Sequence, residues 1–154
     1  MTQMDDTLKK KLKNYVLWLL GRQEYSRREL TKKLQQKEAT PEFIEALLDW
    51  CEEHNFINEQ RYVEGFVRRH IAKKHGLKRI QSEAMAKGID RALLSTIVAT
   101  MEIDCFQLAQ DAYLKKYSNA QNDFDYKEKA KRTRYLMYRG FSYEQIDFAM
   151  QAQQ

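Results

Sequence analysis

The chain has 154 residues, of which 43% are hydrophobic and 12% aromatic; this is enough for a folded core and excludes disorder throughout. One proline and five glycines are too few for the many turns of a sheet protein, so the composition predicts an all-α fold. The net charge of +5 and the isoelectric point near 9.1 suit a nucleic-acid or acidic protein partner, although ordinary lysine usage gives a similar total.

Apolar periodicity and capping residues predict nine helices, grouped as three units of three. Each unit starts with an apolar helix, continues with a basic helix and closes with a capped helix. The predicted helices span residues 8–20, 27–36 and 41–54, then 61–74, 77–87 and 91–101, then 106–117, 126–139 and 143–152. We expect the units to divide as residues 1–56, 57–104 and 105–154, and to form an elongated, curved, solenoid-like array.

The three units repeat with a period of about 50 residues, which is typical of helical repeats. Aligning Lys37, Lys87 and Arg139 superposes a cap residue and apolar anchors in every unit. The caps are Thr40, Asp90 and Ser142, and the anchors include Leu34, Ala84 and Leu136, and Ile44, Leu94 and Ile146. Chance matches between helices are the alternative explanation, but the recurrence of caps and anchors together favours a repeat.

The first helix of the second unit separates apolar from basic residues. Its predicted core face consists of Tyr62, Val63, Phe66, Val67, His70 and Ile71. The opposite stripe carries Arg61 and Arg68 with two small residues between and beyond them, Gly65 and Ala72. Small residues allow another surface to approach, and arginine offers a rigid set of donors to a phosphate or carboxylate.

The basic helix of the third unit places four residues on one stripe, at spacings of i, i+4, i+7 and i+11. These are Lys127, Lys131, Arg134 and Tyr138. We interpret the stripe as a binding ridge, although a solvated helix face is the simpler alternative. Over all units, the candidate residues for binding a partner or DNA are Arg27, Lys32, Arg61, Arg68, Arg69, Lys73, Lys74, Lys78, Arg79, Lys127, Lys131, Arg134 and Tyr138.

Motifs for catalysis or cofactor binding are missing from the sequence. It contains no GxxxxGK[ST], GxGxxG, HExxH or GxSxG. His54, His70 and His75 are isolated from one another in sequence, and His70 falls in an apolar stripe that predicts a hydrogen-bonded core histidine. Cys51 and Cys105 lack a CxxC neighbour and lie within apolar helical patterns, which favours buried, inert thiols over a disulfide or a zinc site. We therefore expect a protein that is not an enzyme and has neither a cofactor nor a metal.

Targeting signals are also missing. The first ten residues, MTQMDDTLKK, contain no apolar segment of the kind that signal peptides carry. The longest apolar run, residues 15–20, is too short to cross a bilayer. We expect a cytoplasmic monomer with no membrane partner.

The stretch FINEQRYVEGFVRRHIAKKHGLKRIQSEAMAKGI, residues 56–89, resembles the RecX family of recombination regulators. The residues that carry the resemblance are Phe56, Ile57, Glu59, Arg61, Tyr62, Arg69, Gly76, Ile80, Glu83, Lys87 and Gly88. The segment YSRRELTKKL, residues 25–34, resembles the first-unit pattern of the same family. Asn58, Ala84 and Glu38 stand where aspartate, leucine and glycine are usual, and none of these departures removes a basic position.

The resemblance implies a non-enzymatic modulator of the RecA recombinase. Members of the family are understood to lie in the groove of the RecA–single-stranded-DNA filament and to block its growth or promote its disassembly. That activity lowers strand exchange, ATP turnover and co-protease activity, and it tempers the SOS response. Some members also bind DNA directly. The alternative is a stand-alone protein that binds single- or double-stranded DNA mainly through phosphate contacts.

Overall fold

The structure, a computed structural model, describes residues 4–117 and 125–151. Within these residues it contains nine α-helices and no strand. The helices are α1 (Asp6–Arg22), α2 (Arg27–Gln36), α3 (Pro41–Glu53), α4 (Glu59–Ala72), α5 (Leu77–Ala86), α6 (Arg91–Met101), α7 (Cys105–Tyr117), α8 (Tyr126–Tyr138) and α9 (Tyr143–Gln151). The predicted all-α plan of three tandem three-helix repeats is confirmed. The predicted end of the last helix, at residue 152, lies outside the described residues.

The chain divides into two compact units, Met1–Tyr62 and Val63–Gln154. The first unit contains α1, α2 and α3, and its core is a single cluster of buried side chains. That cluster comprises Leu12, Val16, Leu19, Leu30, Leu34, Ile44, Leu47, Leu48, Cys51 and Ile57. Both tryptophans belong to this unit: Trp50 is packed against the core, whereas the Trp18 side chain is exposed.

The second unit contains the helices of the second and third repeats. Around α4 and α5 the buried side chains include Val63, Phe66, Val67, Ile80 and Ala84, so the core face predicted for α4 is confirmed. In the third repeat the buried cluster comprises Leu108, Ala109, Ala112, Tyr113, Leu136, Phe141, Ile146 and Ala149. Ile71, at the end of α4, packs against this cluster. The second and third repeats therefore share apolar contact.

The predicted caps begin their helices as expected. The Thr40 hydroxyl accepts a hydrogen bond from the Phe43 N–H at 3.3 Å, and Pro41 occupies the first turn of α3. The Asp90 carboxylate accepts from the N–H of Leu93 at the start of α6. Ser142 and Gln145 exchange reciprocal backbone-to-side-chain bonds of 3.0 and 3.2 Å. These caps satisfy donors that have no partner within their own helix.

The basic helices α2, α5 and α8 end in the same way. In each repeat a residue with positive φ follows the helix: Glu38 at 62°, Gly88 at 77° and Gly140 at 101°. The next N–H then bonds back to a carbonyl of the last helical turn, which is the bond of a Schellman cap. The pairs are Ala39 to Leu34 at 3.1 Å, Ile89 to Ala84 at 3.0 Å and Phe141 to Leu136 at 3.2 Å. The three repeats therefore share the backbone geometry of this helix end as well as the sequence pattern.

Both cysteines are free thiols. Cys51 is fully buried in the first unit, and Cys105 is half-buried. Burial raises the pKa of both thiols, so neither is activated as a thiolate at neutral pH. The predicted burial is confirmed for Cys51 and is wrong for Cys105, which begins α7 and is only partly covered.

Among the described residues, no single helix has both the length and the apolar character needed to cross a bilayer. Helices α6 and α7 reach that threshold only when taken together, and they are bent by 83° relative to each other. Both contribute buried side chains to the second unit, including Leu94 and Ala109.

Candidate partner-binding surface

The second and third repeats meet where α5 begins and α8 ends. The N–H of Gly76 donates to the carbonyl of Arg139 at 2.7 Å, and the N–H of Lys78 donates to the carbonyl of Gly140 at 3.2 Å. Gly76 is the N-cap of α5 and offers no side-chain cap, so the α8 carbonyls fill that role. The positive end of one helix dipole meets the negative end of the other. The two basic helices are thus brought together.

Two glycines make this contact possible. A Cβ atom on Gly76 would lie 2.3 Å from the carbonyl oxygen of Gly140, and one on Gly140 would lie 2.6 Å from the backbone nitrogen of Arg79. Both distances are below any normal non-bonded contact, and both would press on backbone rather than on a movable side chain. We call this contact between the start of α5 and the end of α8 the repeat joint.

A stacked pair extends from the repeat joint to the surface. The Arg79 guanidinium carbon lies 5.2 Å from the centre of the Tyr138 ring, a cation–π contact. The Arg79 Nε also donates a hydrogen bond to Glu83 at 3.1 Å. Tyr138 is 78% exposed despite this contact, and Lys78 beside it is exposed as well. Lys78, Arg79 and Tyr138, which belong to different repeats, therefore share one surface.

The predicted stripe of α8 is solvent-exposed. Lys127, Lys131 and Arg134 are all exposed, and none forms an ion pair with a described carboxylate. Tyr138 lies on the same stripe one turn beyond Arg134. We call these four residues the α8 stripe. Like charges at this spacing repel each other by a few tenths of a kcal/mol.

The same helix directs another arginine inward. Arg132 is buried, with an Nη1 that donates to the Tyr113 hydroxyl at 2.8 Å and an Nε that donates to Glu128 at 3.0 Å. Its guanidinium also lies 4.6 Å from the centre of the Tyr117 ring. The basic residues of α8 therefore do not all face outward. The sequence did not predict the inward position of Arg132.

Arg139 also has a structural role. Its Nε donates to the Lys74 carbonyl at 3.2 Å, and its Nη2 donates to the Lys73 carbonyl. These carbonyls close the end of α4, where Lys74 has a positive φ of 61°. The side chains of Lys73 and Lys74 remain at the surface, exposed and half-buried respectively. Arg139 thus fastens the repeat joint while leaving both lysine ammonium groups available.

Three large apolar or aromatic side chains beside the α8 stripe are exposed. Tyr126 is 86% exposed, Tyr143 63% and Met137 41%. With Lys129 and Arg134 they line a groove of about 360 Å³. Exposed tyrosines among cations are the combination on which nucleobases stack while phosphates are neutralised. The sequence pattern indicated Tyr138 but not the exposed pair Tyr126 and Tyr143.

The candidate residues of the first unit have mixed environments. The Arg27 Nη1 pairs with Asp49 at 2.8 Å and with Glu52 at 3.2 Å. The Arg61 Nε pairs with Glu24 at 2.8 Å, and its Nη2 donates to a backbone carbonyl, that of residue 55, at 2.9 Å. Lys32 is exposed. Arg61 was predicted on the exposed stripe of α4, the first helix of the second repeat. It is only partly exposed, because a carboxylate and a backbone carbonyl bind its guanidinium.

The remaining candidates of α4 also differ from one another. Arg68 is exposed, but it borders a groove that contains Glu64, Asp104 and Asp111. Its nearest carboxylate oxygen, on Glu64, is 4.0 Å away. Arg69 is exposed on the same helix. The acidic groove distinguishes the surroundings of Arg68 from those of the α8 stripe.

A buried polar cluster beside the repeat joint was not predicted. His70 and His75 are buried, and their Nδ1 atoms lie 2.7 Å apart. The His70 Nε2 lies 2.9 Å from Glu83 Oε2. The prediction of a hydrogen-bonded core histidine is confirmed for His70, but the two histidines are not isolated in space. Their five-residue separation across a helix end gave the only sequence signal, and it does not correspond to a standard metal motif.

Comparison with known proteins places the chain in one family over most of its length. Models described as the first, second and third three-helix domains of RecX match residues 13–51, 58–96 and 102–150. Regulatory protein RecX of Vibrio vulnificus is 34% identical over 138 residues, which cover 90% of each chain. Its counterpart in Vibrio campbellii is 36% identical over 138 residues, 90% of this chain and 88% of that one.

Solved structures agree with the architecture. The crystal structure of RecX from Lactobacillus salivarius superposes with a TM-score of 0.77 and 24% identity, covering 94% of this chain and 95% of that one. A second crystal structure, of a regulatory protein RecX, gives a TM-score of 0.78 at 20% identity. At such identities the structures support the fold alone. With the three domain matches and the curated relatives, the conclusion is direct: this chain belongs to the RecX family.

Proposed function

We propose that this protein binds the RecA–single-stranded-DNA filament and inhibits RecA recombinase, ATPase and co-protease activity. Through that inhibition it moderates recombinational DNA repair and the SOS response. Its relatives are named regulatory proteins, in keeping with a role that needs no catalysis. The binding surface consists of the α8 stripe together with Lys78 and Arg79 at the repeat joint. The repeat divisions at residues 56 and 104 remain part of the proposal.

The observation that carries this proposal is the exposed charge of α8. Lys127, Lys131 and Arg134 keep their charges in solvent without a described ion pair. Arg132 of the same helix has two hydrogen-bond partners, so the packing of the third repeat can engage a basic residue where one is needed. Exposed cations in a row, with no ion pair to the described part of the chain, suit an anionic partner such as a phosphate backbone or an acidic protein surface.

A filament offers both kinds of anion at once. A surface that reaches DNA phosphates and acidic protein groups together forms each later contact at high effective concentration. The avidity for the filament then exceeds that for bare DNA. This difference separates our proposal from simple adsorption to a polyanion.

The second candidate function is stand-alone binding to single-stranded DNA. The exposed rings of Tyr126 and Tyr143 favour it, because stacking on a base contributes about 1–3 kcal/mol. Under this alternative, bare DNA and the filament would be bound with equal affinity at physiological salt. The affinity for bare DNA would fall with salt concentration at a slope of about −0.7 per phosphate contacted.

The functional test measures ATP hydrolysis by RecA on single-stranded DNA, with and without the full chain. Addition before nucleation and addition to a pre-formed filament are compared. We expect hydrolysis to fall in at least one order of addition, at protein concentrations that leave bare DNA largely unbound. Unchanged hydrolysis in both orders contradicts the proposal. Equal affinity for DNA and filament supports the second candidate instead.

A further inference from the structure

We propose that His70 and His75, oriented by Glu83, bind one divalent transition-metal ion of the zinc class. The site belongs to the second unit, beside the repeat joint, and it is separate from the α8 stripe. It does not rest on the proposed function, because metal binding is measured without RecA or DNA.

The three groups converge from adjacent parts of one helical hairpin. His70 lies in the last turn of α4, His75 in the connection that follows, and Glu83 in α5. Their potential ligand atoms all lie within 4.8 Å of one another. His70 and His75 are only 7% and 6% exposed, whereas the side chain of Glu83 is 40% exposed. The cluster is therefore buried at the two histidines and reaches solvent at the carboxylate.

The hydrogen bonds of the cluster identify the tautomers. Burial opposes ionisation of Glu83, but the Arg79 hydrogen bond and the neighbouring positive groups outweigh it and lower the pKa of Glu83. An ionised Glu83 can only accept, so His70 Nε2 carries a proton and donates to it. The unprotonated Nδ1 of His70 then accepts from His75, whose Nδ1 carries the proton between the two rings.

The donor atoms of the cluster suit a transition metal. His70 and His75 bring two imidazole nitrogens close together in a buried position. Imidazole nitrogens favour ions such as Zn²⁺ over Mg²⁺ or Ca²⁺, which prefer oxygen ligands.

An ion fits with a small movement of the rings. Tetrahedral zinc at its usual distance from two imidazole nitrogens holds them ~3.3 Å apart. The two Nδ1 atoms are 2.7 Å apart, so the rings would separate slightly as the His75 proton shifts from Nδ1 to Nε2. His70 would keep its bond to Glu83, which Arg79 holds by the other oxygen. This arrangement is a carboxylate–histidine–metal triad, in which the carboxylate fixes the ring orientation. Water completes the coordination.

The test uses tag-free full chain carrying Cys51→Ala and Cys105→Ala, because thiols also bind zinc. Zn²⁺ is titrated calorimetrically, Co²⁺ absorption reports the coordination geometry, and Mg²⁺ serves as the negative ion. We expect one Zn²⁺ per chain and a higher melting temperature of the second unit. Absence of Zn²⁺ binding overturns the proposal.

Variants assign the ligands. His75→Gln should abolish saturable binding, and Glu83→Gln should weaken it roughly 10- to 100-fold, as expected for an orienting partner. His54→Gln should bind Zn²⁺ unchanged, since that exposed histidine belongs to the first unit. Circular dichroism verifies folding, and the half-exposed Glu83 provides a readout if a buried histidine variant fails to fold. The assignment is contradicted if His75→Gln and Glu83→Gln bind Zn²⁺ with equal affinity, or if His54→Gln loses Zn²⁺ binding.

Discussion

The first and third repeats follow the same plan but use their basic helices differently. In the first, Arg27 at the start of α2 is held by Asp49 and Glu52. In the third, Lys127 and Lys131 near the start of α8 have no described acidic partner. Both helices look equally basic in sequence. Their surfaces differ because α3 presents carboxylates toward α2.

The comparison shows that a count of charges cannot identify a binding surface. Basic side chains that form ion pairs or hydrogen bonds within the fold have to be distinguished from those that remain exposed to solvent. Arg27, Arg132 and Arg139 belong wholly or partly to the fold, whereas the α8 stripe does not. Four substitutions, two of them with a matched control, test these differences between the repeats, beginning with the largest expected change in stability. They also exploit the location of both tryptophans in the first unit, whose fluorescence reports that unit alone.

The end of α8 should tolerate change far less than the end of α2. Gly140→Ala would place a Cβ 2.6 Å from the Arg79 backbone at a φ of 101°. Left-handed strain and overpacking together should lower the free energy of unfolding of the second unit by about 4 kcal/mol. Circular dichroism in urea measures the loss, and tryptophan fluorescence should not shift. Gly88→Ala, at an exposed position with φ of 77°, should cost only about 1 kcal/mol.

The two faces of α8 should respond in opposite ways to loss of charge. Arg132→Ala leaves the Tyr113 hydroxyl and Glu128 without their donor, so the free energy of unfolding should fall by about 3 kcal/mol. Lys131→Ala, on the exposed face, should change it by less than about 0.5 kcal/mol. Urea unfolding followed by circular dichroism compares the pair. Equal losses would mean that the two faces are not distinct.

The first repeat should become more stable when Glu38 is replaced by glycine, the residue at the corresponding position of the other two repeats. Glu38 has a φ of 62° where the other repeats have glycine. Glu38→Gly should raise the free energy of unfolding of the first unit by roughly 0.5–1 kcal/mol, the left-handed strain relieved less the added freedom of the unfolded chain. Tryptophan fluorescence in urea should show a higher midpoint. A lower midpoint would mean that the Glu38 side chain stabilises the helix end.

A small loss of stability is expected on substitution of Arg27. Its partners are about half exposed, so Arg27→Ala should cost at most about 1 kcal/mol in the first unit. The salt dependence of that cost distinguishes ion pairing from packing, because added salt screens the pair. Inhibition of RecA should be unaffected. Loss of inhibition by a folded Arg27→Ala protein would mean that Arg27 belongs to the binding surface.

The sequence predicted the helices well because their signals are local. Thr40, Asp90 and Ser142 cap the helices that they precede, and the ends of α2 and α6 agree with the prediction to the residue. The exposure of Lys127, Lys131 and Arg134 also followed from helical spacing alone. Such features depend on neighbours within one or two turns.

Contacts between residues far apart in the chain were not predicted from the sequence. The repeat joint depends on Gly76 and Gly140 approaching from different repeats, and no local pattern brings them together. The inward position of Arg132 was not predicted, because its partner Tyr113 lies 19 residues away. His70 and Glu83 belong to different helices, so their pairing requires the packing of α4 on α5. Packing decides such pairings, and a single sequence does not reveal them.

The most direct test of the central claim reverses charge on the α8 stripe and, separately, on a matched surface. Lys127→Glu with Lys131→Glu is compared with Lys9→Glu and Lys10→Glu on the exposed side of α1, which changes the net charge equally. Inhibition of RecA ATP hydrolysis is measured for both folded proteins. The account predicts at least about tenfold weaker inhibition for the stripe variant and little change for the control. Equal inhibition by the two variants would contradict it.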